Sequence, residues 1–195
     1  MRPATKKPRQ ARWTVTMASA GWLVLTVVSC LWLPLFQAIW WFSMPAIAAA
    51  WAWAVLWSFA AVMTYLSLKR YVRSFVTLTI AVLLGVVIFR IDWQTLYIDS
   101  QFWLHRDEFA ALVAEHESGR PLTVPWWMKY LSMDGQVQQQ GEVLYLPVFE
   151  DWRAETGSGI AHLPAPPTSR TLVQTASGDL GSPVRDLGDG WWWVG

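Results

Sequence analysis

A long uncharged run constrains this chain more than any other feature. Between Arg12 and Lys69 there is no Asp, Glu, Lys, Arg or His. A membrane-spanning helix needs about 20 apolar residues. Residues 13–68 are therefore long enough for two spanning helices and the turn between them. A third apolar stretch, residues 74–89, follows the basic cluster that begins at Lys69.

Two prolines suggest where the first turn lies. Pro34 disfavours a continued helix, and Pro45 suits the first turn of a new one.

The third stretch is short for a span, but Arg73 and Arg90 can extend it by snorkelling to the interfaces; the alternative is a re-entrant or interfacial helix. The predicted segments are a basic tail at residues 1–12 and a transmembrane region at 13–91, with α-helices near 13–35, 45–66 and 74–91.

The charges of the two halves have opposite signs. Residues 1–90 contain nine Lys or Arg and no acidic residue, whereas all 14 Asp and Glu follow, beside six basic residues. Basic residues favour the cytoplasmic side of a membrane. We therefore predict a multi-pass cell-membrane protein with a cytoplasmic N-terminus and residues 92–195 outside the cell. The net charge of +1 argues against nucleic acid as a partner.

No Asp, Glu, Lys, Arg or His falls within the apolar runs 13–68 and 74–89, which argues against a transporter, a proton relay or a voltage sensor. The second span carries a ridge of small residues, Ala46, Ala50 and Ala54, that lets helices approach closely. This ridge would pack within the bundle or against another membrane protein. Beyond the lipid bilayer, a partner at the second span is therefore an expectation, and the oligomeric state is left open.

The single Cys leaves an alternative for the N-terminus. Val27-Val28-Ser29-Cys30 follows a basic tail and an apolar run, which resembles a bacterial lipoprotein signal with Cys30 as the lipidated residue. Signal-peptide cores are shorter than this run, so an inert Cys within a span is the favoured interpretation. One Cys also excludes an internal disulfide and a Cys-rich zinc site.

Residues 92–195 have the pattern of a small α+β domain. Apolar residues recur at helical spacing from Phe109 and predict a helix over Arg106–Glu117. Asp134-Gly135 is a favoured two-residue turn and predicts a hairpin between Lys129–Met133 and Gln136–Gln140. The other expectations are extended chain at Trp93–Trp103, a strand at 142–149 after a bend at Gly141, a Pro/Gly/Ser-rich loop at 156–183 with one short strand at 170–175, and a last strand at 191–194.

Motifs for catalysis or metal binding are weak. His105, Asp107 and Glu108 form the densest polar cluster, and the spacing of His105 and Glu108 would place them on one helical face as a metal pair. His116 leaves that face, so we expect a half-buried side chain there. Gly157-Ser158-Gly159 lacks the strand–Ser–helix context of a nucleophile elbow. The sequence predicts no catalytic residue and no cofactor or metal.

The Trp residues of the outer domain carry more information. Trp126, Trp127, Trp191, Trp192 and Trp193 are the candidate interaction residues. In a strand, the first and third residues of the Trp triplet face one side and the second faces the other. These indoles would fill the core, or, if exposed, rest on the membrane surface, stack on envelope sugars or contact a protein.

Three segments carry a resemblance. Phe102–Phe109, the Asp134-Gly135 turn and the ending Leu187–Trp193 resemble patches of uncharacterised small multi-span membrane proteins of high-GC Gram-positive bacteria. The similarity covers the outer domain alone. It implies a bacterial cell membrane, with no activity and no catalytic residue.

Together these features predict a non-enzymatic accessory or interaction protein of the cell envelope. One alternative is a membrane-anchored module that binds envelope glycan or another polymer, and a further one is a membrane-tethered hydrolase. A cleft with clustered carboxylates or His would favour the hydrolase. A flat row of exposed Trp would favour glycan or bilayer contact, and an apolar patch on the second span would favour a membrane partner.

Overall fold

The structure, a computed structural model, describes residues 7–151 and 153–195, with side chains from residue 11 onward. The basic-tail residues Arg2 and Lys6, and also Trp152, lie outside the described residues. The chain is 57% helical with a C-terminal antiparallel sheet. It separates into two units, Met1–Leu96 and Tyr97–Gly195.

Helices form the first unit. Its elements are α1 Lys7–Cys30, α2 Trp32–Ile39, a 3-10 turn at Trp40–Phe42, α3 Ser43–Ser67, α4 Tyr71–Arg90 and the start of α5, which spans Trp93–Leu104. Within the described residues, three segments are long and apolar enough to cross a membrane: Ala11–Cys30, Trp32–Ser67 and Tyr71–Arg90. The prediction of three apolar helices of that length is confirmed. At 1.5 Å per residue, the 20 residues of α4 reach about 30 Å.

Pro34 does not mark the end of the first helix. α1 already ends at Cys30, and Pro34 lies in the first turn of the short helix α2. A proline is tolerated there because its missing N–H would have no intrahelical partner. Pro45 lies in the first turn of α3, as predicted.

The small residues of α3 pack inside the first unit. Ala50 and Ala54 are buried in one cluster with Trp22 and Leu25 of α1. The Trp22 indole N–H donates a hydrogen bond to Ser58 Oγ of α3 at 2.9 Å. The alanine ridge thus lets α1 approach α3 closely, which is the use that small residues have at helix interfaces.

We expect Gly21→Val to destabilise this helix pair. A Cβ at Gly21 would lie 2.9 Å from both Ala54 Cα and Trp53 Cδ1, so the α3 backbone itself would have to shift. Overpacking of this kind costs about 1–3 kcal/mol. Thermal unfolding of the full chain in detergent measures the loss, with Gly85→Ala as the control, since its nearest neighbour is a Trp22 ring atom at 3.4 Å. Equal stability of the two variants would contradict the close α1–α3 contact.

The second unit joins a helical layer to an antiparallel sheet. After α5 come α6 Arg106–Glu117 and a 3-10 helix at Trp126–Tyr130. The strands are β1 Gln138–Gln140, β2 Val143–Glu150, β3 Gly157–His162, β4 Val173–Gln174, β5 Leu180–Gly181, β6 Pro183–Gly188 and β7 Trp191–Val194. The main sheet has the order β1-β2-β3-β7-β6, and β4 pairs with β5 in a separate hairpin.

Strand pairing assigns the Trp triplet to two faces. In β7, Trp191 and Trp193 share a face and Trp192 points to the other, because side chains alternate along a strand. Trp191 packs against Phe109 of α6, with ring centroids 4.9 Å apart. Trp192 packs against a buried cluster on the other face of the sheet, which includes Val173 of β4. α6 thus covers one face of the sheet and the β4–β5 hairpin covers the other.

Several predicted elements are confirmed. α6 has the predicted bounds, and Phe109 is buried while His116 is half-buried. Gly141, with φ +66°, turns the chain before β2. The last strand, β7, and the short strand β4 also form where the sequence predicts them.

The prediction of extended chain at Trp93–Trp103 is wrong, because α5 is a helix. Asp92 caps it: its carboxylate accepts hydrogen bonds from the Thr95 N–H at 3.0 Å and from Thr95 Oγ1 at 2.7 Å. An Asp three residues before a Thr is an N-cap signal. Tyr97, Ile98 and Phe102 are buried, and their spacing fits one helical face.

The hairpin predicted at Asp134-Gly135 is also wrong. That pair forms an Asx turn, in which the Gln136 N–H donates to Asp134 Oδ1 at 2.9 Å, and no strand precedes it. β1 pairs instead with β2 across Gly141. The other Asp-Gly pair, Asp189-Gly190, makes the two-residue hairpin between β6 and β7, with φ +53° and +80°.

The loop predicted at 156–183 contains a strand. β3 occupies Gly157–His162 and lies between β2 and β7 in the sheet. Its two glycines conceal it in the sequence, because glycine is rare in strands. Both are buried, and neighbouring atoms occupy the space that a side chain would need.

Candidate functional site

Four large side chains of the second unit are exposed on its helical layer. Trp103 is 70% exposed, Leu104 72%, Trp126 75% and Tyr130 51%. We call these four residues the aromatic surface. Tyr and Trp are enriched at interfaces, where one end of the side chain is apolar and the other is hydrated.

Buried neighbours hold the aromatic surface in place. Trp127 is buried, and its ring stacks on His105 with centroids 3.6 Å apart and planes 10° from parallel. The Tyr97 hydroxyl donates to the Tyr130 carbonyl at 3.4 Å. These two contacts place the 3-10 helix alongside α5. Leu104 follows Tyr97 by seven residues, so it lies on the same side of α5.

Cations accompany two of the exposed rings. The Arg106 guanidinium lies 5.5 Å from the Trp103 ring centroid, and Lys129 Nζ lies 5.0 Å from that of Tyr130. Both distances fit cation–π attraction. Arg106 also forms a two-point ion pair with Asp189, at 2.5 Å and 2.8 Å. This pairing raises the pKa of Arg106 and lowers that of Asp189.

The predicted interaction residues occupy different environments. Trp126 belongs to the aromatic surface, whereas Trp127 and Trp191 are buried, at 8% and 1% exposed, and Trp192 and Trp193 are half-buried. The Trp triplet is thus not a flat exposed row. Trp103 and Tyr130 were not among the predicted residues. Recognising α5 as a helix would have identified Trp103, because it lies next to buried Phe102 in the chain and points away from the core.

The polar cluster of His105, Asp107 and Glu108 brings the first and the last of these side chains into contact. His105 Nδ1 and Glu108 Oε2 are 3.2 Å apart, and Asp107 is exposed in the first turn of α6. The stack on Trp127 accounts for the position of His105. Among the residues that the structure describes, no group of three or more His, Cys, Asp or Glu could hold a metal ion.

A cleft of about 510 Å³ lies elsewhere in the second unit. It brings together two imidazoles and two carboxylates, which we call the histidine cleft: His116, Glu117, Glu142 and His162. α6, the β1–β2 turn and the end of β3 each supply part of it. The sequence gives no signal for this grouping, because strand pairing brings His162 next to α6.

Burial determines the charge of His162. Desolvation lowers the pKa of His162, His116 lowers it further, and Glu117 opposes the shift. His162 is therefore neutral at neutral pH in the folded protein. A neutral imidazole beside carboxylates is a group that can accept a proton.

We expect the second unit to lose stability in acid through His162. A His whose pKa is lowered by folding favours the folded state above its unfolded pKa of 6.5, and this stabilisation is lost as the pH falls. One proton limits the slope to about 1.4 kcal/mol per pH unit. Hydrogen exchange of β3 in the full chain, measured between pH 7 and 5, should show a shallower dependence in His162→Gln. An unchanged slope would assign the titration to another group.

No family model, curated protein or solved structure matches this chain. The fold and the surfaces therefore define it as a protein with three long apolar helices and a small α+β unit. Its function is argued from those surfaces.

Proposed function

We propose that this chain is an integral membrane accessory protein of the bacterial cell envelope, with an outer domain that serves as a non-enzymatic interaction module. Three helices of spanning length support the membrane anchor. Basic residues before the third of them, with every acidic residue after it, favour a cytoplasmic N-terminus and an outer domain outside the cell.

The aromatic surface carries the interaction proposal. The same domain buries Trp127, Trp191 and Phe109 almost completely, so it has the means to bury large rings. It nevertheless leaves Trp103 and Trp126 more than two-thirds exposed. Trp and Tyr are the residues most enriched at the energetic centres of interfaces.

Single-cysteine labelling tests this proposal without assuming a partner. Cys30 is the only Cys in the chain, so Cys30→Ser gives a background for Trp126→Cys. The control is Leu180→Cys, because Leu180 is 64% exposed on the β4–β5 hairpin, which covers the opposite face of the sheet. A membrane-impermeant maleimide should label the control rapidly in intact cells. It should label position 126 several-fold more slowly in cells than in detergent.

Two results would overturn parts of the proposal. Equal labelling rates in cells and in detergent at position 126 would show that nothing covers the aromatic surface, and the interaction module would fail. Labelling of Leu180→Cys only after the cells are permeabilised would refute the orientation.

The histidine cleft favours a second candidate, a membrane-tethered hydrolase. Glu117, Glu142 and the neutral His162 place two carboxylates and an imidazole that can accept a proton in one cleft. The purified full chain would then hydrolyse an ester, peptide or glycan substrate, and His162→Gln and Glu142→Gln would each reduce turnover at least a hundredfold. Turnover that both variants retain would exclude the cleft as its source.

A further inference from the structure

We infer that the aromatic surface docks on the lipid headgroup layer of the membrane that anchors the chain. This inference rests on the proposed function, and it names the partner of the interaction module. The partner is the bilayer surface. The experiment below distinguishes it from a protein or a glycan that binds the same surface.

The composition of the surface matches the headgroup layer. Trp103, Trp126 and Tyr130 combine an apolar ring with a polar group, the type of side chain that concentrates at membrane–water interfaces. Leu104, 72% exposed at the end of α5, adds purely apolar area. Three rings and a leucine, without an acidic member among the four, are exposed side chains that can enter the boundary between headgroups and acyl chains.

The position of Lys129 supports the same partner. Lys129 is exposed, and its ammonium lies 5.0 Å from the Tyr130 ring centroid. An ammonium this close to the ring can reach the lipid phosphates when the ring enters the headgroup layer. A basic residue near an anionic membrane surface contributes about 1 kcal/mol.

Chain connectivity limits how far this surface can lie from the membrane. Only Ile91 and Asp92 separate the end of α4 at Arg90 from the start of α5, and Trp103 and Leu104 end that same helix. Two residues reach about 7 Å at most. With α4 proposed as a span, α5 begins within about a nanometre of the bilayer surface. A tether this short gives a high effective concentration, so a weak affinity for headgroups suffices.

Depth-dependent quenching tests the inference on the full chain. Trp126→Cys in the Cys30→Ser background is labelled with an environment-sensitive fluorophore and reconstituted into phosphatidylcholine–phosphatidylglycerol vesicles that contain nitroxide-labelled lipids. We expect the label at position 126 to lose at least half of its emission to quenching, and the matched label at Leu180→Cys to lose little. Adding Lys129→Glu should reduce quenching at position 126 with phosphatidylglycerol and leave it unchanged in phosphatidylcholine alone.

The outcomes separate this inference from the proposed function. Weak quenching at position 126, equal to that at position 180, would overturn bilayer docking. If the same position is nevertheless protected from maleimide in cells, the interaction module stands and its partner is a protein, or a glycan where protection ends after cell-wall digestion. If position 126 is neither quenched nor protected, both proposals fail. Unchanged hydrogen exchange in β3 confirms that each labelled variant is folded.

Discussion

Trp191→Ala is expected to destabilise the second unit by about 3–5 kcal/mol, the range for removing a fully buried Trp. Trp191 is 1% exposed and lies in β7, between β3 and β6. Its ring contacts Phe109 at 4.9 Å and His162 at 5.2 Å, so it joins α6 to the sheet. Truncation would leave a cavity between the two layers and loosen both.

The exposed Trp126 provides a matched control for this prediction. Trp126→Ala removes the same atoms from a side chain that is 75% exposed, and we expect a change within about 0.5 kcal/mol. Hydrogen exchange of β3 and β7 in the full chain in detergent measures both variants. Comparable losses of protection would show that Trp191 does not form the core between helix and sheet.

Local sequence patterns correctly predicted those elements whose residues all favour the same secondary structure. The spacing from Phe109 identifies α6 because one helical stripe is buried and the rest is polar. The Trp triplet alternates between faces as a strand requires. α5 was missed because residues such as Leu96 and Ile98 also suit a strand, and the cap at Asp92 was the deciding signal. β3 was missed because its two glycines suit a loop. In the folded chain, the Tyr145 ring occupies the space above Gly159, and residues 175–177 occupy the space above Gly157.

The sites depended on contacts between distant segments. The histidine cleft needs β3 to pair with β2 and α6 to cover the sheet, and no local pattern contains that information. The aromatic surface needs the 3-10 helix at Trp126–Tyr130 to lie along α5. The sequence identifies both Trp126 and Trp127 as candidate interaction residues. Only packing decides that one becomes a surface residue and the other supports it.

We expect Gly159→Val to destabilise the second unit by about 3 kcal/mol, at the upper end of the cost of overpacking. A Cβ at Gly159 would collide with the Leu146 carbonyl oxygen and would lie 2.6 Å from the Tyr145 hydroxyl and 2.7 Å from its ring. β3 cannot move away, because it is paired on one side with β2 and on the other with β7. The ring of Tyr145 would therefore have to leave its buried position.

That displacement gives a readout beyond stability. Burial raises the pKa of Tyr145 to about 12, and its hydroxyl accepts a hydrogen bond from the Ala176 N–H at 3.2 Å. If the ring is expelled in Gly159→Val, its pKa should return toward 10.0, which ultraviolet titration of the full chain can follow against Tyr145→Phe. Gly195→Ala is the steric control, since its nearest neighbour is Ser158 Cβ at an ordinary 3.7 Å. A stable Gly159→Val variant with unshifted tyrosine titration would mean that β3 is not held between β2 and β7.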